Sequence, residues 1–348
     1  MKIKTVYITM GNACNFQCLY CMQRSLIKCP NQPLSDLTKV KKFIEKQLIS
    51  LEKIYLWGGE PLLYWDIFTE LVCFIRAKSS EVNICTITNG SLLTQDKVDF
   101  LNQFQVAVGL SHDGPDTLIT RKADVLKIPE TKRLFLSLKR KGIACCISAL
   151  NQNIYQVFDF FDNETPGVTV NLNWLIDHEH PELLTGFDFV KLNATLDEFV
   201  ERFKVAVITG NLNGHEYSHF LKLLRTAAYA IQDPERTYHP YCSNMYSMIN
   251  INLQGDILVC HNSDIVIGDI DDISAAVKTF EQSYNENNKD PLCRKCPYFL
   301  ICRGGCPVQS QESKRLTCAI NKMFYSKLFT ALSELQQELP VVRECEVR

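Results

Sequence analysis

The chain carries no excess of either charge. Its 37 Lys and Arg stand against 39 Asp and Glu, a formal net charge of −2, and no long basic stripe interrupts that balance. The electrostatic footprint of a nucleic-acid binder is therefore missing. No run of residues approaches the apolar length of a membrane span. The two lysines near the N-terminus precede no apolar core of a secretory signal. Neither nucleic acid nor membrane is expected as a partner. Lys139, Arg140 and Lys141 close an amphipathic stretch and read as cations at a helix C-terminus.

What the chain has in quantity is cysteine, 16 in 348 residues. In a leaderless chain of this length they do not suggest a secreted disulfide scaffold. They suggest the reduced cytoplasm and metal ligation. With 46% hydrophobic residues, the chain can bury one large core and a smaller one.

The first three cysteines form a CxxxCxxC, Cys14-Asn15-Phe16-Gln17-Cys18-Leu19-Tyr20-Cys21, after the apolar run Val6–Met10 and Gly11. Three thiolates on one tight loop suit three irons of a 4Fe-4S cube. The fourth iron is left without a cysteine of this loop, and an open metal position marks a catalytic rather than a structural site. A zinc knuckle is the rival reading, but it wants four ligands and no fourth stands close by.

From Lys4 to about Ile176, β-rich runs alternate with helical stretches. The expected strands are Val6–Met10, Ile54–Trp57, Val82–Thr88, Val106–Ser111, Ile143–Leu150 and Val168–Leu175. They are rich in Val and Ile and only weakly alternating, as for strands buried on both faces. Ser35 is placed to cap a helix carrying Leu37, Val40, Phe43, Ile44 and Leu48. Trp65–Arg76, Thr94–Phe104 and Thr131–Lys141 read as further helices. Six βα units predict a parallel α/β sheet with right-handed crossovers, either a partial (β/α)6 barrel or a doubly wound open sheet. In the barrel, functional groups gather where strands end. Such ends carry Gly58-Gly59-Glu60-Pro61, Thr88-Asn89-Gly90 and Ser111-His112-Asp113-Gly114. Two glycines allow a close backbone approach to a ligand, and a carboxylate can receive an ammonium group. Arg121 reads as a solvated surface arginine, with a carboxylate of the ligand as the alternative partner.

These motifs together resemble the radical S-adenosylmethionine (SAM) superfamily. The resemblance implies the partial (β/α)6 TIM-like barrel. It also implies that SAM chelates the open iron and is cleaved to a 5'-deoxyadenosyl radical that abstracts a substrate hydrogen. By the same resemblance Tyr20 lies against the adenine, Gly58, Gly59 and Glu60 receive the SAM amino group, and Asn89, Ser111 and Asp113 line the SAM and substrate cavity.

A second cysteine field follows a bridge with helical runs Leu196–Thr209 and Glu216–Ile231 and a break at Asp233-Pro234. It reads Cys242, Gly255, Cys260, then Cys293-x2-Cys296-x5-Cys302-x3-Cys306 and Cys318. This spacing resembles the SPASM domain, an iron-sulfur extension of part of the same superfamily, although the interval before Cys318 is short for it. The resemblance implies two auxiliary 4Fe-4S clusters, one on Cys242, Cys260 and Cys306, the other on Cys293, Cys296, Cys302 and Cys318. Met248 stands where some relatives supply a fourth ligand to the first of these, which leaves an iron open. Paired zinc sites are the competing reading of the C-x2-C spacing. The domains are expected at 1–190 (barrel), 191–240 (helical bridge) and 241–348 (auxiliary clusters and a C-terminal helix near Asn321–Leu339).

Cys29, Cys73, Cys85, Cys145, Cys146 and Cys345 remain. Buried free cysteine behaves as a small hydrophobe, which suits Cys73, Cys85 and one of the Cys145/Cys146 pair. The other then faces the opposite side of its strand, a candidate thiol donor of a hydrogen atom.

SPASM proteins mostly modify peptides or proteins, so a peptide or protein substrate is expected. A flavodoxin- or ferredoxin-type electron donor is expected beside it. The barrel motifs begin almost at residue 1, so a precursor is expected to bind the barrel, the second cysteine field or a separate leader-binding partner. The first reading is a maturase of a ribosomally made peptide. The second is a protein-modifying oxidase like the anaerobic sulfatase maturases. Those carry an Asp base directly after the second cysteine of the SPASM motif, where this chain has His261. A small-molecule dehydrogenase or epimerase is the third.

Overall fold

The computed structural model describes residues 2–23, 26, 36–174, 183, 186–211, 214–232, 245–287, 291–306 and 310–338. Cys29, Ser35, Leu175, Asp233, Pro234, Cys242 and Cys345 lie outside them, so the Ser35 cap and the Cys242 ligand are not described.

The chain alternates strand and helix in its first half: β1 (Thr5–Thr9), α1 (Thr38–Gln47), β2 (Lys53–Trp57), α2 (Trp65–Lys78), β3 (Asn83–Thr88), α3 (Gln95–Gln103), β4 (Ala107–Ser111), α4 (Thr117–Arg121), α5 (Pro129–Ser137), β5 (Lys141–Ile147), α6 (Ile154–Glu164) and β6 (Val170–Trp174). Two long helices follow, α7 (Phe189–Thr209) and α8 (His215–Gln232). Then come β7 (Met248–Asn252), β8 (Asp256–Leu258), β9 (Val266–Asp269), α9 (Ile273–Asn287), α10 (Pro291–Arg294), α11 (Phe299–Cys302) and α12 (Gln311–Glu338).

One mostly parallel sheet runs in the order β6-β5-β4-β3-β2-β1-β7-β8-β9, the arrangement of a partial barrel. Along each parallel strand one face is closed by Val6, Ile8, Ile54, Leu56, Ile84, Val108, Leu110, Ile143 and Ile147. The helices pack on that face with residues such as Val40, Ile44, Phe68, Leu71, Ile75, Leu101, Phe135 and Phe161, all in one continuous core. The opposite face holds Tyr7, Tyr55, Trp57, Gly109, Ser111, Ala144 and Cys146, all partly exposed. Strand periodicity of two separates the faces.

The sheet does not stop at β1. β7, from the second cysteine field, pairs with it in parallel, Thr5 opposite Met248 and Thr9 opposite Asn252. β8 and β9 then continue antiparallel. Met248 therefore sits at the start of a strand, beside Thr5.

Three expectations need correction. α5 ends at Ser137, because Leu138 turns extended. Lys139–Lys141 thus form the turn into β5 rather than a helix end, with Arg140 bonded to the Gln105 carbonyl (2.8 Å) and Asn83 Oδ1 (2.8 Å). The C-terminal helix begins at Gln311 and carries Cys318 on it. Cys73 is exposed, since α2 buries Phe68, Leu71, Val72 and Ile75 and turns position 73 outward. Among the described residues no helix is long and apolar enough to cross a membrane.

Candidate active site at the strand ends

The cysteine loop leaves β1 and is laced to the turn after β2 by backbone alone. Gly59 N–H donates to the Gly11 carbonyl (3.0 Å) and Glu60 N–H to the Ala13 carbonyl (2.8 Å). The Ala13 amide donates to the Tyr64 hydroxyl (2.7 Å). A Cβ at Gly58 would stand 2.4 Å from the Gly11 oxygen, and one at Gly59 2.4 Å from the Ala13 oxygen. The two glycines are required for contact with the protein's own loop, a use that the sequence reading assigned to a ligand.

Glu60 is 1% exposed. Its Oε1 accepts from the Thr88 hydroxyl (2.7 Å) and the Leu62 amide (3.0 Å), and its Oε2 from the Asn89 amide (2.7 Å). Burial pushes its pKa up, against the pull of these donors. A carboxylate offers about four acceptor positions, so one remains for an ammonium group. Asn89 Nδ2 reaches Asn15 Oδ1 inside the cysteine loop (2.8 Å), while its Oδ1 accepts from Ser91.

The other side of the loop rests on a polar cluster. The Tyr20 hydroxyl donates to Asp113 Oδ2 (2.6 Å) and accepts from Arg121 Nη1 (2.7 Å). Asp113 is fully buried and also accepts from the Thr120 hydroxyl (2.7 Å) and the Cys146 amide (3.0 Å). Asp113 thus positions Tyr20, and its carboxylate reaches a ligand only through that neighbour and Arg121. Arg121 is not a solvated surface arginine. Its Nε is buried without a hydrogen-bond partner among the described residues, and its charge acts on the Cys14 and Cys18 thiols. Ser111 stands at the end of β4 on the inner face and makes no side-chain hydrogen bond to a described residue. His112 points away from the site, fully buried, bonded to Asp124 (3.0 Å) and ringed by Phe160 and Phe161.

Cys145 is buried in the main core, whereas Cys146 faces the loop and packs with Leu19, Tyr20 and Leu183. Burial raises both thiol pKa values well above the ordinary range, so both keep their protons. His261 enters the inner face from the loop after β8. Its ring stacks on Tyr7 (4.6 Å) and meets Trp57 edge-on (4.7 Å), and Tyr7 in turn stacks on Tyr55 (4.3 Å). Burial holds its pKa down to about 4, which leaves a neutral imidazole at neutral pH. The buried Gln23 donates to the His261 carbonyl (3.1 Å), tying the two cysteine fields together. This ring wall was missed in the sequence. Its signal was Tyr7, Tyr55 and Trp57 at alternate positions of adjacent strands.

Among the described residues, several cysteines of each expected set are electrostatic neighbours. Both C-x2-C pairs close with the same turn, Cys21 N–H to the Cys18 carbonyl (3.2 Å) and Cys296 N–H to that of Cys293 (3.1 Å). Cys14 feels Cys21, Cys18 feels Cys14, Cys260 feels Cys306, and Cys302 feels Cys318, Cys293 and Cys296. The Cys14 and Cys260 sulfurs each accept an amide two residues on (3.4 Å), a bond that tunes iron-sulfur potentials. Among the described residues no three His, Cys, Asp or Glu side chains converge closely enough for a single metal ion.

The radical SAM superfamily model matches residues 8–151. This span is a radical SAM domain. Its cofactors are SAM and one 4Fe-4S cluster, which Cys14, Cys18 and Cys21 fit. The radical SAM cyclopropyl synthase TigE of Paramaledivibacter caminithermalis is 21% identical over 88% of this chain and 68% of its own length. A GTP 3',8-cyclase of Campylobacter jejuni is 28% identical over 66% of this chain and 65% of its own. The chain thus spans about two thirds of the length of these curated relatives. Among solved structures, native anSMEcpe with bound AdoMet and the Kp18Cys peptide superposes over 96% of this chain and 99% of that one, with a TM-score of 0.71 at 18% identity. Streptococcus suis SuiB bound to its precursor peptide SuiA covers 88% of this chain and 72% of that one, with a TM-score of 0.59 at 15% identity. These likenesses establish the shared fold.

Two substitutions test the lacing. Gly59→Ala is expected to destabilise the protein by roughly 1–3 kcal/mol, the usual range for overpacking. A denaturation midpoint equal to wild type would refute the close approach. Glu60→Gln puts an amide group opposite the Thr88 hydroxyl and Leu62 amide or opposite the Asn89 amide, a loss of about 1–3 kcal/mol for an unsatisfied buried donor. It is expected to lower both the melting temperature and SAM affinity. A variant with wild-type stability and weaker SAM binding would show that Glu60 serves the ligand alone.

Proposed function

We propose that the chain reductively cleaves SAM and uses the resulting 5'-deoxyadenosyl radical to abstract hydrogen from a peptide substrate, giving an oxidative or bond-forming side-chain modification. The observation that carries this reading is the near-complete overlay with a peptide-bound structure, including the second cysteine field. In this proposal Cys14, Cys18 and Cys21 hold the first cluster, and bound metal keeps such thiols deprotonated. Asn89 and Glu60 fix one side of the SAM cleft. Tyr20, oriented by Asp113 and Arg121, fixes the other. Ser111 and Cys146 face the substrate from the inner wall, and the protonated Cys146 thiol is a candidate hydrogen donor.

The second cysteine field is proposed to hold two auxiliary 4Fe-4S clusters in a SPASM domain. Cys260 and Cys306, with Cys242, supply the first, and Cys293, Cys296, Cys302 and Cys318 the second. His261, a neutral imidazole beside Cys260, stands as the candidate base where sulfatase maturases have Asp. The electron is proposed to come from a flavodoxin or ferredoxin. A nucleotide-sized substrate is the second reading, favoured by the similarity to GTP 3',8-cyclase.

Anaerobically reconstituted protein is expected to hold about twelve irons, four per cube. Replacing Cys14, Cys18 and Cys21 together by Ala should remove about four of them and abolish release of 5'-deoxyadenosine. Persistent SAM cleavage in the triple variant would overturn the assignment, and zinc in place of the remaining iron would make the second field a zinc module.

A further inference from the structure

A cavity of about 300 Å³ opens between the barrel rim and the β7–β8 hairpin, lined by Thr9, Asn12, Asn252, Gln254, Asp256, Leu258, Ser263 and Asp264. Thr9 is the last residue of β1, level with Trp57 on one side and Asn252 on the other. It is only 6% exposed, yet its hydroxyl has no partner among the described residues. Asn12 is equally buried and spends no side-chain hydrogen bond on a described residue. Burying a polar group without a partner is costly, so the Thr9 hydroxyl points to a polar occupant, and the Asn12 amide stands beside it to serve the same one.

The charge of that occupant follows from the walls. Asn252 is committed to the hairpin. Its Oδ1 accepts the Gln254 and Asp256 amides, and its Nδ2 holds Asp256 Oδ2 at 2.8 Å. This fixes the Asp256 carboxylate with one oxygen to spare. Asp264 makes no ion pair with a described residue. Among the described residues no Lys, Arg or His lines the cavity. The nearby Lys39 is engaged by Asp269 (2.6 Å) and Asp271 (3.3 Å). Two carboxylates therefore share a partly enclosed space without a counter-charge. The volume would hold about ten waters at roughly 30 Å³ each, far more than a bare ion needs. Leu258 offers the apolar surface along which a methylene stem lies while its charged head meets oxygens.

We infer that this cavity receives a basic side chain, Arg or Lys, of the peptide substrate. The inference rests on the peptide reading above and narrows it. Asn12 is two residues before Cys14, and Ser263 is joined to the Cys260 carbonyl by its amide (3.1 Å). A side chain anchored there sets the adjoining peptide between the first cysteine loop and Cys260. The residue modified therefore lies close in sequence to a basic one.

The test is calorimetric titration of the reconstituted protein with acetyl-Gly-Arg-Gly-amide and with its neutral isostere, acetyl-Gly-citrulline-Gly-amide. The Arg peptide is expected to bind at least tenfold more tightly, and added salt should erode that preference. Asp256→Asn and Asp264→Asn should each reduce it severalfold. Asp264 is exposed, so its variant reports on the site even where Asp256→Asn loosens the hairpin. Equal affinity for the two peptides, no binding of either, or a preference unchanged in Asp264→Asn would overturn the inference. Displacement of the Arg peptide by micromolar magnesium or calcium would reassign the cavity to a divalent cation. SAM cleavage by the wild-type protein is scored separately. Preference without cleavage would sink the enzymatic reading and leave the cavity standing, and cleavage without preference would do the reverse.

Discussion

The approach of two backbone segments, the turn at Gly58–Glu60 and the loop at Gly11–Ala13, sets the terms for the rest of the site. Two amide-to-carbonyl bonds join them, and no side chain fits between them. At this junction the cysteine loop is docked by groups that every residue carries. Its Asn15 and Tyr20 side chains brace it on either side, and its cysteine side chains are not needed for the docking. Glu60 makes the junction rigid from beneath, since its carboxylate ties the end of β2 to the end of β3. Buried carboxylates persist only where donors offset desolvation, and three donors do so here.

The inner face divides into two kinds of wall. Toward β4 and β5 lie Ser111, Cys146, Tyr20 and the buried Asp113–Arg121 pair, polar and near the first cysteine loop. Toward β1 and β2 lie the rings of Tyr55, Tyr7, Trp57 and His261. The ring wall presents flat surface at little conformational cost, as aromatic side chains do. The polar wall holds the charge. A reactive carbon held between them is kept from water on one side and oriented by hydrogen bonds on the other, the arrangement that positioning of a near-attack geometry requires.

Much of this was legible in the chain. The first six strands lie within a few residues of their expected limits, since their Val and Ile fill the buried face; the expected burial on both faces does not hold, because the inner face is only half-buried. The C-x2-C turns at Cys18–Cys21 and Cys293–Cys296 were legible from spacing. The partners of Arg121 were not, because it meets Tyr20 across 101 residues of sequence and no local pattern announces such a pair. The real use of Gly58 and Gly59 was hidden for a related reason. A glycine pair signals close approach but not what approaches. β7 was missed although Ile-Asn-Ile-Asn alternates apolar and polar residues, because that region was read for its cysteines alone. Cys318 was expected to precede the C-terminal helix, yet it rides on it, where its neighbours are set by the helix axis rather than by spacing in the chain.

The pairing of β7 with β1 bears on how the molecule comes into being. β1 is made well before β7, with about 240 residues between them, so one edge of β1 has no native partner while the intervening chain is synthesised. Non-local pairings of this kind are slow to form, and an unpaired strand edge is a template for unwanted association. The loop that leaves β1 carries Cys14, Cys18 and Cys21, and Gln23 just beyond them is fastened to the His261 carbonyl. The sheet around that loop is thus completed only when the second cysteine field has arrived, which couples the order of assembly of the two fields and makes a shortened chain a poor scaffold for either.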